Sequence, residues 1–326
     1  SSPAIRVTAS YHCGLLEMHK NEYLNARQKA YQAIALIDAI EFDKNWAYSL
    51  KKDCFFLAAH ALTREILTLT DVDKNQPDEL WPFYDAADGI FTAIDESQII
   101  DFLNSGASCL TKALVAPEIS VENQGGGNVY NITCSGSSLD ELIAKFSLTA
   151  KIDTRWNFDF NASSLRKQLI YLHLLSSQGR QFAVIAAGCA GLIARMDDNG
   201  LMNFYNPLSY SVLSDHLAVL CSQAVEQWRE FILRFPEDNR IANVHFALGL
   251  LYAPQNLYTE SISEYKLVAN RFARSPLAPY ALFNLGNIKN SLKDYQGAYE
   301  DLRQLMEQFP DSQVAINASL YYAETA

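Results

Sequence analysis

Apolar residues recur at three- and four-residue spacing through most of this chain and alternate with polar ones only in its middle. The first pattern predicts amphipathic helices, the second strands. Residues 1–70 read as three long helices, the third running over Asn45–Leu69 with Trp46, Leu50, Cys54, Leu57, Ala61 and Ile66 on its apolar face. Pro77 and Pro82 then interrupt the pattern, and helical spacing resumes at Ala86–Ile94 and Ser97–Leu114. Pro117 ends that run, and Gly125–Gly127 reads as a flexible hinge.

Beyond the hinge the period changes. Val129, Asn131, Ile132 and Cys134 predict a short strand, and Ser138 with Glu141 forms a capping box opening a helix over Leu139–Leu148. "AKIDTRW" and "NFDFNAS" read as two strands, and "SSLRKQLIYLHLLSS" as a second helix capped by Ser163 or Ser164 and extending as far as Ile185. "GLIARMDDNGLMNFYNP" predicts a hairpin turning at Asp198-Asn199-Gly200. After Pro207 one long helix covers Ser214–Arg234, with Leu217, Leu220, Ala224, Trp228 and Phe231 on one face.

Near the C-terminus one stretch is written twice. "VHFALGLLYAPQNLYTESISEYKLVANRF" from Val244 and "ALFNLGNIKNSLKDYQGAYEDLRQLMEQF" from Ala281 fall into register when Gly249 is laid on Gly286, an offset of 37 residues. Leu248 then meets Leu285, Tyr258 meets Tyr295, Ser261 meets Ala298 and Tyr265 meets Leu302. A third copy spans Val7–Asp38, with Gly14, Tyr23, Ala26, Ala30 and Ala33 in the matching places. Small residues on both helices of a hairpin let the backbones approach, and large residues at helical spacing fill the space around them. The last copy, with Leu282, Leu285, Gly286, Leu292, Asp294, Tyr295, Ala298, Leu302 and Pro310, resembles the tetratricopeptide repeat family, a helical-hairpin repeat of about 34 residues. That resemblance implies a scaffold that binds proteins, because each hairpin buries its apolar face only against its neighbours. "RFPEDN", "RFARSP" and "QFPDSQ" punctuate the second helices in the manner of Gram-negative periplasmic and outer-membrane-associated members. The middle segment resembles the small α+β module at the N-terminal end of secretins and TonB-dependent receptors, on "SLDELIAKFS", "FDFNASSLRKQLIYL" and "AGLIARMDDNGLMNFYNP".

The fold class expected is therefore mostly α: a helical-hairpin superhelix with one small inserted α+β module. Its parts are an N-terminal helical region at 1–116, a Gly-rich linker at 117–127, the module at 128–207 and a C-terminal repeat region at 208–326. The last helix reads as half of a further repeat, so we expect a fragment of a longer protein whose signal lies outside it.

Composition narrows the function. A net charge of −11 argues against nucleic acid or an anionic membrane as the main partner, and the longest uncharged run, Gln181–Ala194, is too short to span a bilayer. The cysteines at 13, 54, 109, 134, 189 and 221 form no zinc spacing, and Cys13 and Cys221 fall at core-type positions. They read as buried small hydrophobes, with a Cys109–Cys134 or Cys134–Cys189 bridge open in an oxidising periplasm. No phosphate loop, nucleophile elbow or paired histidine spacing appears, so no catalytic residue, cofactor or metal is expected.

Chemistry thus points to a groove. The first helix of each hairpin would line a concave surface at Tyr11 and Leu15, Phe246 and Leu250, and Tyr280, Phe283, Asn287 and Asn290. Recurring aromatics there suit an apolar peptide and equally suit packing between repeats. We expect a non-catalytic interaction scaffold of a bacterial envelope, periplasmic or associated with the outer membrane. Its groove would take a peptide segment or subunit of another envelope, secretion or assembly component, with no nucleic acid and no membrane span. Self-assembly as a structural envelope component, or an enzyme site between the module and the helices, are the alternatives.

Overall fold

Helical hairpins account for both ends of the computed structural model, which describes residues 3–40, 43–72, 77, 80–81, 115–124, 127–157, 163–209 and 212–325. The predicted helices at Ala86–Ile94 and Ser97–Leu114 lie outside the described residues, as does Cys109. The chain divides into two compact units, Ser1–Glu65 with Tyr84–Gln223, and Ile66–Phe83 with Ala224–Ala326. It is mostly α with an α+β insert.

In the first unit α1 (Pro3–His19) and α2 (Tyr23–Ile37) form a hairpin, followed by α3 (Lys44–Leu69), whose last residues belong to the second unit. The insert runs β1 (Val115–Gln124), β2 (Gly127–Ser138), α4 (Leu139–Ala150), β3 (Thr154–Asn157), α5 (Ser163–Arg166), β4 (Leu169–Gln178), α6 (Gly179–Cys189), β5 (Ile193–Met196) and β6 (Met202–Tyr205). One antiparallel sheet has the order β1-β2-β4 and the other has β3-β6-β5, with β3 parallel to β6. The Ser138–Glu141 capping box opens α4 as predicted, and β5 and β6 form the predicted hairpin. Asp197 shapes its turn by accepting from the Asn199 and Leu201 amides.

Three local expectations are corrected. Of the linker expected at 117–127, residues 117–124 belong instead to β1, which pairs with β2 down to Gln124 opposite Gly127, and residues 125–126 lie outside the described residues. Pro117 is tolerated because β1 is an edge strand whose register shifts between Val115 and Glu118, where a missing N–H breaks no ladder. The second module helix is not at 163–178. Only one turn forms at α5, then β4 alternates Ile170, Leu172 and Leu174 inward, and the helix begins at Gly179. Leucines spaced that way satisfy either period, and pairing with β2 overrides their helix propensity. Cys13 is exposed rather than in the core. Cys54, Cys134, Cys189 and Cys221 are buried free thiols.

The core of the insert is aromatic. Tyr130 meets Phe146 edge-on at 5.2 Å, Phe146 lies 4.4 Å from Phe182, and Trp156 stacks on Phe204 at 4.5 Å. On its outside, α2 packs against α6 and β4. The Cys189 carbonyl at the end of α6 has no intrahelical donor, and α2 supplies two. The Gln28 and Gln32 amides donate to the Cys189 carbonyl at 2.9 and 3.1 Å, and Arg27 Nη1 donates to the Leu192 carbonyl at 3.0 Å. Arg27 is fully buried and also stacks on Tyr31 at 4.9 Å. A cation at a helix C-terminus is stabilised by the helix dipole, which offsets part of its desolvation. Gly188 lets Tyr31 lie directly on the α6 backbone; a Cβ there would collide with the ring.

The second unit contains α7 from Ala224 onward (α7 spans Leu213–Arg234), α8 (Ile241–Tyr252), α9 (Tyr258–Arg271), α10 (Ala278–Ser291), α11 (Tyr295–Gln308) and α12 (Gln313–Thr325). The predicted hairpins are present. A Cβ at Gly249 would sit 2.7 Å from the Tyr265 ring and one at Gly286 2.8 Å from Leu302, so these glycines set the approach of α8 to α9 and α10 to α11. Ser261 Oγ donates to the Gly249 carbonyl at 2.8 Å across the first pair. All three hairpins turn through a left-handed residue two places before the aromatic: Asn21 (φ 61°), Asn256 (φ 58°) and Lys293 (φ 64°). The two asparagines accept from Tyr23 and Tyr258 hydroxyls at 2.9 and 2.8 Å. Lysine carries a steric penalty in that conformation that glycine lacks.

Two outcomes are expected from these contacts. Gly188→Ala should lower the stability of the first unit by about 3 kcal/mol in urea unfolding, and Tyr31→Leu in the same chain should recover part of the loss; an unchanged midpoint would remove the close approach from the account. Lys293→Gly should raise the melting temperature of the second unit, with a gain of about 0.5–1 kcal/mol. A loss of stability there would show that the lysine makes a contact worth more than its backbone strain.

Candidate functional site

The second unit closes around one apolar cluster. Phe246 and Leu250 from α8, Tyr265 and Val268 from α9, Leu282 and Leu285 from α10, and Leu302 and Leu305 from α11 are buried in it. Phe246 meets Tyr265 edge-on at 5.2 Å. Tyr280, Phe283 and Ile288 are half-buried against the same cluster. Asn287 and Asn290 follow on α10, half-buried. Positions 280, 283, 287 and 290 are three or four residues apart and so lie on one face of the helix.

Polar pairs fix the helices under that face. His245 and Glu264 meet at 2.6 Å between α8 and α9, and Lys289 meets Asp301 at 2.6 Å between α10 and α11. Burial raises the Asp301 carboxyl, and Lys289 opposes the shift. Asp238 accepts from the Arg240 main-chain amide at 2.9 Å and from its Nε at 2.8 Å, a buried pair that shapes the entry to α8. Arg240 also lies 5.7 Å over the Phe231 ring.

The eight residues expected to line a groove fall in both units. Tyr11 and Leu15 belong to the first unit, where Tyr11 is fully buried and Leu15 half-buried. Phe246 and Leu250 are core residues of the second unit, with 0% and 8% exposure. Tyr280, Phe283, Asn287 and Asn290 remain together on α10. Two features had no sequence signal: the docking of α2 on α6, and the entry of residues 66–81 into the second unit. Leu67 and Leu80 are fully buried in its cluster, and the Asn243 side-chain amide donates to the Leu80 carbonyl at 2.9 Å.

The cavities of the first unit offer little chemistry. One of about 410 Å3 is lined by Arg6, Ser10, Gln32, Tyr171 and Cys189. Burial pushes the Cys189 thiol up to about 12, so at neutral pH it is protonated and a poor nucleophile. A second, of about 190 Å3, has Asp215 and His216 in its wall. They are neighbours on α7, and side chains one residue apart on a helix do not face each other. Among the described residues no three His, Cys, Asp or Glu side chains gather to hold a metal, and no helix is long and apolar enough to cross a membrane.

The repeat can now be placed in a family. The tetratricopeptide repeat model matches residues 280–312, which cover α10, α11 and the turn after them. The chain contains a tetratricopeptide repeat. Such repeats generally mediate protein–protein interaction and are generally non-catalytic, and the matched one carries the α10 face described above. No curated protein matches the chain in sequence.

Three histidines of the first unit give it a pH dependence. Burial holds His12, His60 and His216 below the usual imidazole range, His60 well below it with Arg64 adding to the effect. A histidine depressed in the folded state takes up its proton in the unfolded state first, so its stability contribution is lost as pH falls through about 6.5. His60 should contribute to that loss between pH 7.5 and 5.5. Thermal melts across that range should show the loss, and His60→Gln should flatten the slope; a variant with the parent's slope would overturn the assignment.

Proposed function

We propose that this chain is a non-catalytic interaction scaffold of a bacterial envelope, binding an extended or helical peptide segment of another protein on the C-terminal tetratricopeptide repeats. The observation that carries the reading is the α10 face. Tyr280 and Phe283 put half-buried aromatic surface on the helix, and Asn287 and Asn290 put amides one and two turns further along. Aromatic anchors beside groups that both donate and accept are what a peptide backbone needs. Four such residues lie within the repeat or at its edge, on a helix held by the Lys289–Asp301 pair and by Gly286 under Leu302.

The envelope assignment rests on two resemblances. One is the "FP" punctuation after the second helices, at 235–236 and 309–310. The other is the central module, whose units β2-α4-β3 and β4-α6-β5-β6 support a likeness to the small secretin and TonB-receptor module. In this reading the module is a second docking surface, and the partners are envelope, secretion or assembly components. The net charge of −11 favours partners that are neutral or basic where they dock.

Peptides selected from a random library against the whole chain test this. Asn287→Ala with Asn290→Ala should weaken a selected peptide about tenfold or more, matching the loss of one or two well-placed contacts. Arg303→Ala on α11 should leave it unchanged, and both variants should melt within a few degrees of the parent. Binding insensitive to the asparagines would move the site off α10.

A further inference from the structure

The second unit holds a short piece of its own chain in a way that no helix of a repeat explains. Residues 66–72, Pro77, Leu80 and Trp81 belong to the second unit, although they precede the insert in the chain. Within that piece Leu80 donates its amide to the Pro77 carbonyl at 3.0 Å. Its side chain is fully buried in the cluster that contains Phe246, Leu250 and Leu277, and Trp81 is half-buried against the same cluster. Its carbonyl accepts from the Asn243 amide, 163 residues away in sequence, at 2.9 Å. Asn243 sits in the first turn of α8, the first helix of its hairpin.

That combination is a recognition mode. A side-chain amide reads a main-chain carbonyl, which any residue offers, and an apolar pocket reads the side chain attached to it. We propose that Leu80-Trp81 is an intramolecular ligand of the repeats. The external partner is then a segment that presents a leucine followed by an aromatic residue, bound through the same Asn243 amide and leucine pocket. This rests on the peptide-binding reading above and names the chemistry of the peptide. A tethered ligand acts at an effective concentration of about millimolar, so an outside peptide competes at a disadvantage until the tethered one is removed.

The probe is a labelled synthetic peptide copying residues 76–84, followed by fluorescence anisotropy with the full chain. Leu80→Ser with Trp81→Ser should bind it about tenfold or more tightly than the parent, Asn243→Ala added to that variant should abolish the gain, and a peptide with serine in place of its leucine and tryptophan should not bind. Trp81→Ala alone leaves the buried leucine and the hydrogen bond in place, and should still give a gain of about threefold if the double variant does not fold. Equal affinity of the parent and the folded Trp81→Ala chain would overturn the proposal. If library-selected peptides still bind through Asn287 and Asn290 while the copy peptide shows no gain, this inference falls and the peptide-binding reading stands. If neither kind of peptide binds, both fall.

Discussion

Helix pairs in this protein are set by how near one backbone lets a large side chain come. Tyr31 lies on the α6 backbone at Gly188, Tyr265 on α8 at Gly249 and Leu302 on α10 at Gly286. At each place a single Cβ would force the pair apart, and every contact further along the two helices would shift with it. The constraint serves different ends in the two units. In the repeats it joins the helices of one hairpin. In the first unit it brings α2 close enough to donate three side-chain hydrogen bonds, two to Cys189 and one to Leu192, at the end of α6.

That docking alters what the N-terminal hairpin is for. A repeat hairpin ordinarily offers one face to the next repeat. Here α2 puts Arg27, Gln28, Tyr31 and Gln32 against the insert, and the buried guanidinium makes the contact demanding. A buried arginine without its acceptor would be costly, so the loss of the Leu192 carbonyl beyond α6 would be felt in α2. The hairpin and the module therefore share one packed core.

The repeats were legible in the sequence because their pattern is written more than once. Gly249 and Gly286 identify each other at a fixed offset, and Tyr258 and Tyr295 follow at the same interval. Even the left-handed turn residue falls in one place in all three copies, though it is asparagine in two and lysine in the third. Gly188 had no second copy to identify it, and Arg27 looked like any charged residue on an amphipathic helix. The strand at Leu169–Gln178 failed for another reason. Its leucines fit both periods, and only the partner strand decides between them. Of the candidate residues only those on α10 fall together, since local spacing finds residues on a helix face and cannot find a segment arriving from 163 residues away.

The position of Leu80 bears on which helix of the repeats can recognise a partner. Phe246 and Leu250 were candidates for a peptide's apolar side chains, and the side chain that reaches their cluster is the protein's own leucine. Tyr280 and Phe283, one hairpin later, are half-buried against that same cluster. A peptide that anchors on α10 and one that replaces Leu80 at α8 would therefore meet a common set of side chains. Binding at either helix should be felt at the other through Leu277 and Leu282, which lie fully buried within it. Coupling of that kind follows from close packing alone, because a core at crystal-like density cannot change volume at one wall without displacing the next.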